Sequence, residues 1–191
     1  MDLRTFLRQS SDLSDATYSD DFLSGWKRQR LTNGAHLTQQ EQLETGEFIL
    51  LKGCLASSIC DQDGKEICLG LYVGPCVVTP NIARTRKGVS LVSIVAMTDC
   101  ALARIDSEVL SNWMISAEPV RNWANAILRE ELSRKVDREW CLAALSGAER
   151  LFWFRQAYPG YEDIFPHRLI ASYLGVTPVT LSRLRTSNKI R

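Results

Sequence analysis

His167-Arg-Leu-Ile-Ala-Ser-Tyr-Leu-Gly-Val-Thr-Pro-Val-Thr-Leu-Ser-Arg-Leu-Arg-Thr186 decides the reading of the chain. Ala171 is small where one helix must approach another. Gly175 falls where the first helix must stop, and a glycine enters the left-handed region there without a Cβ penalty. Thr177 offers a hydroxyl N-cap and Pro178 a preset φ at the first position of a second helix. Ile170, Leu174, Val176, Leu181 and Leu184 supply one shared apolar face. From Pro166 to Arg191 there is no acid, but Arg168, Arg183, Arg185, Lys189 and Arg191 are all present. Any one of these features fits an ordinary helical hairpin with a solvated basic end. Together they describe a helix-turn-helix whose surface can meet the phosphates of double-stranded DNA.

The 191 residues allow one or two domains and a sizeable core. The net charge of +1 gives no global basic field. The charge is nonetheless asymmetric, with acids early (Asp12, Asp15, Asp20, Asp21) and bases late. No apolar run approaches the ~20 residues that span a bilayer, and Met1 to Arg8 lacks the apolar stretch of a signal peptide. A cytoplasmic location without membrane contact is the expectation. Six cysteines (Cys54, Cys60, Cys68, Cys76, Cys100, Cys141) contain no Cys-x-x-Cys pair and accompany only two histidines, so no metal site or cofactor is expected. They read as small buried hydrophobes.

Going outward from the motif, residues 1–25 read as a short amphipathic helix, with Leu3, Phe6 and Leu7 on one face, and a linker. Residues 26–115 read as a β domain, a barrel or a sandwich, with short apolar runs between turns, such as Phe48-Ile49-Leu50-Leu51 and Ile67-Cys68-Leu69. Asp63-Gly64 between two such runs predicts a hairpin with a type I′ turn. Residues 116–145 read as one long helix. Val120, Ala124, Leu128, Leu132, Val136 and Trp140 recur every fourth residue, with Trp123 and Ile127 beside them. Glu130 with Arg134 and Glu131 with Lys135 suggest an exposed flank. The stripe could cover the sheet or pair with its copy. The advantage of paired recognition helices favours a dimer through Trp123, Ile127, Leu128 and Leu132. Residues 146–191 form the helix-turn-helix domain, its first helix held by Leu151, Phe152, Trp153, Phe154, Tyr158, Tyr161 and Phe165. The fold class is thus α+β: an N-terminal barrel or sandwich of short strands, a long dimerisation helix and a small helical domain.

Several further stretches point the same way. They are Leu31-x-x-Gly34, Lys52-Gly53, Asp61-x-Asp63-Gly64-Lys65-Glu66, Val95-Ala96-Met97-Thr98-Asp99-Cys100, and above all Ile170-Ala171-x-x-Leu174-Gly175-Val176-Thr177-Pro178-x-Thr180-Leu181-Ser182-Arg183. In this order, over residues 26–191, the chain resembles the Crp–Fnr family of bacterial transcription regulators. The resemblance implies that residues 26–115 are an effector-type domain folded as a double-stranded β-helix or jelly-roll barrel. It implies a homodimer that binds double-stranded DNA under control of this cyclic-nucleotide-binding-like barrel, with RNA polymerase a further candidate partner and no enzymatic activity. In cyclic-nucleotide-binding members, a Gly-Glu pair and a later Arg-Ser/Thr-Ala grip the ribose and the cyclic phosphate. Here Gly74-Pro75-Cys76 occupies the first place and Ser90 the place of the arginine. cAMP is therefore not expected and the effector is unassigned. Arg84, Arg86 and Ser90 are the candidate effector-binding residues, in a stretch that reads as an exposed basic loop. The cysteine cluster that oxygen-sensing members carry at the N-terminus has no counterpart ahead of Cys54.

On the recognition helix, Pro178 and Val179 stand where the family often has Arg and Glu. Ser182 and Arg183 keep the family's Ser-Arg. Arg183 is the bidentate reader of guanine, Thr180 a smaller polar reader, and Val179 a contact for a thymine methyl. Arg185, Lys189 and Arg191 read as phosphate contacts, with Arg168 and Thr177 completing the set. With the chain ending at Arg191, a β wing is expected to be missing or minimal. The alternative to DNA binding is a small-molecule or anion sensor that acts through protein contacts.

Overall fold

The computed structural model describes residues 1–10 and 20–187. It divides into two compact units, Met1–Ile59 with Leu71–Glu131, and Cys60–Gly70 with Leu132–Arg191.

In the first unit, helices α1 (Leu3–Gln9) and α2 (Asp20–Ser24) precede strands β1 (Lys27–Leu31), β2 (His36–Thr38), β3 (Gly46–Lys52), β4 (Cys54–Cys60), β5 (Glu66–Val73) and β6 (Cys76–Val77). A short helix α3 (Asn81–Arg84) leads to β7 (Thr85–Arg86), β8 (Val89–Ser90), β9 (Ser93–Ala96) and β10 (Cys100–Asp106). Helix α4 (Ser107–Ser116) then runs into the long α5 (Glu118–Ala144). Two four-stranded sheets result, ordered β1-β10-β3-β6 and β2-β9-β4-β5, with β7-β8 as a separate ribbon. This is the α+β arrangement of short strands that the spacing predicts, in the jelly-roll-like form that the resemblance implies.

Phe48-Ile49-Leu50-Leu51 shows no alternation because its sheet is covered on both faces. Leu50 faces Leu102 in register, and the next pair, Ile49 with Ala103, points to the opposite side. On that side Ile49, Ala103 and Ile105 pack with Phe6, Leu7, Phe22, Leu110, Val120 and Trp123. Helix α1 is thus docked, with Asp2 as its N-cap accepting from Thr5 N at 2.8 Å.

Helix α5 divides its apolar stripe. Val120, Trp123 and Ala124 are buried inside the first unit, while Leu132, Val136 and Trp140 are 65%, 53% and 55% exposed. The early turns thus cover the sheet, as one reading of this helix has it, and the later ones are bare. Glu131 corrects the exposed-flank expectation. It is 8% exposed, and its carboxylate accepts from the Thr79 hydroxyl at 3.0 Å. That hydroxyl also lies 2.6 Å from Tyr72 Oη, giving a buried polar cluster inside the first unit.

The Asp61–Lys65 turn is a second correction. Only Gly64 takes a positive φ there (78°), so the turn is not type I′. Asp61 organises it instead: its carboxylate accepts from Lys65 N at 2.8 Å and Asp63 N at 3.1 Å, and its carbonyl accepts from Gly64 N at 3.0 Å. This matches a longer loop closed by a left-handed glycine. Residues 60–70, which carry the tip of the β4–β5 hairpin, group with the second compact unit.

Gly53 joins β3 to β4 with φ +103°, and a Cβ there would lie 2.6 Å from Asp99 O and 2.7 Å from Cys100 Sγ. Strain and collision add, so Gly53→Ala is expected to destabilise the fold by at least about 2 kcal/mol. Urea unfolding would show this as a lower midpoint at an unchanged slope.

Candidate nucleic-acid interface

In the second unit the chain leaves α5 and enters α6 (Gly147–Ala157), α7 (Tyr161–Ile164), α8 (His167–Tyr173) and α9 (Pro178–Ser187). A capping box starts α6: Ser146 N donates to Glu149 Oε2 at 2.8 Å and Glu149 N to Ser146 Oγ at 3.5 Å. The sequence pattern Ser146-x-x-Glu149 is the local signal for it. Leu151, Phe154 and Phe165 are buried as the aromatic pattern predicts. Phe152 is the exception and is exposed, because Leu151 and Phe154 set the inward face and Phe152 falls on the far side of the helix.

The turn between α8 and α9 forms as the sequence requires. Gly175 takes φ +65° and Val176 N donates to Ala171 O at 3.0 Å. Ala171, Ile170, Leu174 and Leu181 are buried. Thr177 Oγ1 accepts from Thr180 N at 3.1 Å, and the two threonine hydroxyls lie 2.9 Å apart. The outer face of α9 then presents Val179, Thr180, Ser182 and Arg183, all exposed, with Arg168 and Thr177 exposed beside them. These six expected contact residues are therefore displayed on α8, α9 and the turn that joins them. Lys189 and Arg191 lie outside the described residues.

Arg185 is placed differently from an outward phosphate contact. It is half-buried, its Nε lies 3.0 Å from Glu162 Oε1, and its Nη1 lies 2.6 and 2.8 Å from the two ring nitrogens of His167. Glu162 also holds Arg155 at 2.5 Å, so one carboxylate anchors two guanidinium groups.

Two further arginines, unread in the sequence, set the geometry of the motif. Arg150 donates to Leu142 O at 2.8 Å, Leu145 O at 2.9 Å and Leu174 O at 3.1 Å. One side chain thereby caps the ends of both α5 and α8, whose last carbonyls have no intrahelical partner. Gly175 is needed a second time here, because a Cβ would lie 3.1 Å from Arg150 Nη1. Arg138 stacks over the Tyr173 ring at 4.6 Å and donates to Tyr173 O and Cys68 O. Ser172 Oγ accepts from Cys68 N at 2.9 Å. The turn 60–70 and α8 are joined through these bonds.

The effector candidates occupy other positions in the first unit. Arg84 corrects the expectation of an exposed basic loop: it is 1% exposed, lies under the Phe48 ring and donates to Thr79 O and Gly46 O. Burial pulls its pKa below the ordinary value, opposed by Glu44 and Glu47. Ser90 is buried and donates to Val92 O at 2.7 Å, while Arg86 is exposed. Of the expected dimer residues, Trp123 is buried within the first unit, Ile127 and Leu128 are half-buried and Leu132 is exposed. The cysteines are free thiols, and burial pushes Cys68 up to about 12, where little thiolate forms. No helix among the described residues is long and apolar enough to cross a membrane.

No protein-family model and no curated protein matches the chain. Solved structures do. FixK2 of Bradyrhizobium japonicum superposes with a TM-score of 0.72 at 16% identity, covering 85% of this chain and 83% of its own. The c-di-GMP-responsive global regulator CLP of Xanthomonas campestris gives 0.71 at 16% identity, covering 90% of each chain. A transcriptional regulator assigned to the Crp/Fnr family from Eubacterium rectale gives 0.70 at 19% identity, covering 97% of this chain and 88% of its own. The chain has the Crp–Fnr fold.

Arg150→Met keeps the side-chain stem and removes the donors. Leaving three helix-end carbonyls uncapped should cost roughly 1.5–3 kcal/mol, read as a lower thermal midpoint.

Proposed function

We propose that this Crp–Fnr-fold chain is a cytoplasmic transcription regulator that binds double-stranded DNA as a homodimer and answers to its barrel. The observation that carries the reading is the α9 surface. Val179, Thr180, Ser182 and Arg183 stand exposed on a capped helix in a segment without acids. Arg183 reads a guanine edge and Val179 meets a thymine methyl. Arg168, Lys189 and Arg191 contact phosphates. The pairing of Arg185 with Glu162 offsets its charge and reduces its share of that contact.

The bare stripe Leu132, Val136 and Trp140 supports the dimer. Large apolar side chains on three successive turns of one helix lose water contact when a second copy covers them. A symmetric pair presents two recognition helices about 34 Å apart, one turn of DNA. Control is proposed to pass through Glu131, which ties α5 to the Tyr72–Thr79 hydroxyls. An effector that competes for those hydroxyls would bias α5 only by its differential affinity for the two arrangements. The reading assigns no cyclic nucleotide.

Selection from a random duplex pool should enrich a palindromic sequence, with a steep salt dependence of binding. Arg183→Ala should cost roughly 1–3 kcal/mol on that sequence and relax preference at one base pair per half-site. An unenriched pool would shift the function to a sensor acting through protein contacts. Val136→Glu should convert the dimer to monomer in analytical ultracentrifugation with the helical circular dichroism kept. A wild-type monomer at working concentration would refute the dimer.

A further inference from the structure

A groove of about 430 Å³ opens in the first unit between β3, α3, α4 and the early turns of α5. Phe48, Val77, Met114, Ile127 and the rings of Trp26 and Trp123 give it apolar walls. One edge is polar and continuous. Glu47 Oε2 accepts from Asn81 N at 2.9 Å, and the Thr85 hydroxyl donates to Asn81 Oδ1 at 3.1 Å. Trp26 is only 8% exposed, yet its indole N–H has no acceptor among the described residues. Buried donors are nearly always satisfied, so an unpaired one beside a cavity signals a missing partner.

We propose that this groove binds a small uncharged molecule with an apolar, ring-sized body and a carbonyl-type oxygen that accepts from Trp26. The volume lies in the range of small-molecule sites, which combine apolar walls with a few placed polar groups. The surroundings select against charge. An anion finds no guanidinium in the groove wall, because Arg84 does not line it. A cation finds a weak counter-charge, since burial pushes the Glu47 carboxyl up to about 7. Lys87 at the groove is exposed and solvated. The site is separate from the α9 surface and from the Tyr72–Thr79–Glu131 cluster, and it stands whether or not the chain binds DNA.

The test is a titration of the ¹⁵N-labelled full chain with three probes of one shape: 2-acetylnaphthalene, 2-naphthoate and 2-naphthylmethylamine. The Trp26 indole resonance, identified by its loss in Trp26→Phe, should move downfield and saturate with the ketone. The charged probes should bind about tenfold more weakly or worse. Trp26→Phe should weaken the ketone by about three- to tenfold, the worth of one hydrogen bond. Trp26 also borders a second groove against β1 and β10, whereas Ala124 borders the first and not the second. Ala124→Leu should therefore abolish binding. An unmoved Trp26 resonance up to the ketone's solubility, equal binding of all three probes, or full affinity in a folded Ala124→Leu protein would overturn the proposal. If Ala124→Leu does not fold, the wild-type titration and Trp26→Phe decide.

Discussion

A sheet with two apolar faces must be covered twice, and this constraint organises the first unit. Leu50 and Leu102 fill one face of the β3–β10 pair, and Ile49, Ala103 and Ile105 fill the other. The second face draws in α1, α2, α4 and the start of α5. Each apolar side chain buried there contributes roughly 1.5–3 kcal/mol, so the cover is a condition of folding. It also sets how far along α5 the protein's own core reaches. Val120 and Ala124 fall within that reach, and Leu132, Val136 and Trp140 fall beyond it. The bare stripe is thus a remainder, the part of a longer amphipathic helix that the sheet does not use.

What could be read from the sequence was what depends on local chemistry. Gly175, Thr177 and Pro178 act through φ, a hydroxyl and a fixed ring, and each works within a few residues of itself. The helix-turn-helix and its displayed face were therefore legible from twenty residues. Strand positions were legible too, because β-branched and aromatic runs between turns need no partner to be recognised. The Asp61–Lys65 turn was found but mistyped. Asp63-Gly64 advertises a hairpin, while the loop length depends on the Asp61 carboxylate gathering two N–H groups.

What was not legible depends on residues far apart in the chain. Glu131 carries the same i,i+4 signature as Glu130, and its bond to Thr79, 52 positions away, sets it apart. Arg84 sits in a basic stretch that pattern alone reads as solvated, and the carbonyls of Gly46 and Thr79 and the Phe48 ring turn it inward. Arg185 fits a phosphate contact until Glu162 is placed beside it. In each case a charged side chain looks alike in sequence whether it meets water or a buried partner, because its choice rests on tertiary hydrogen bonds.

Arg150 gives the second unit its stiffness. Its three bonds fasten the last turn of α5 and the last turn of α8 to one rigid, planar group. Neither helix end can advance or unwind without releasing the carbonyls of the other. A twist applied to the final turns of α5 therefore arrives at the Gly175 corner as rotation rather than being lost to fraying. The guanidinium works as a rivet, and α9 beyond it turns with the shaft.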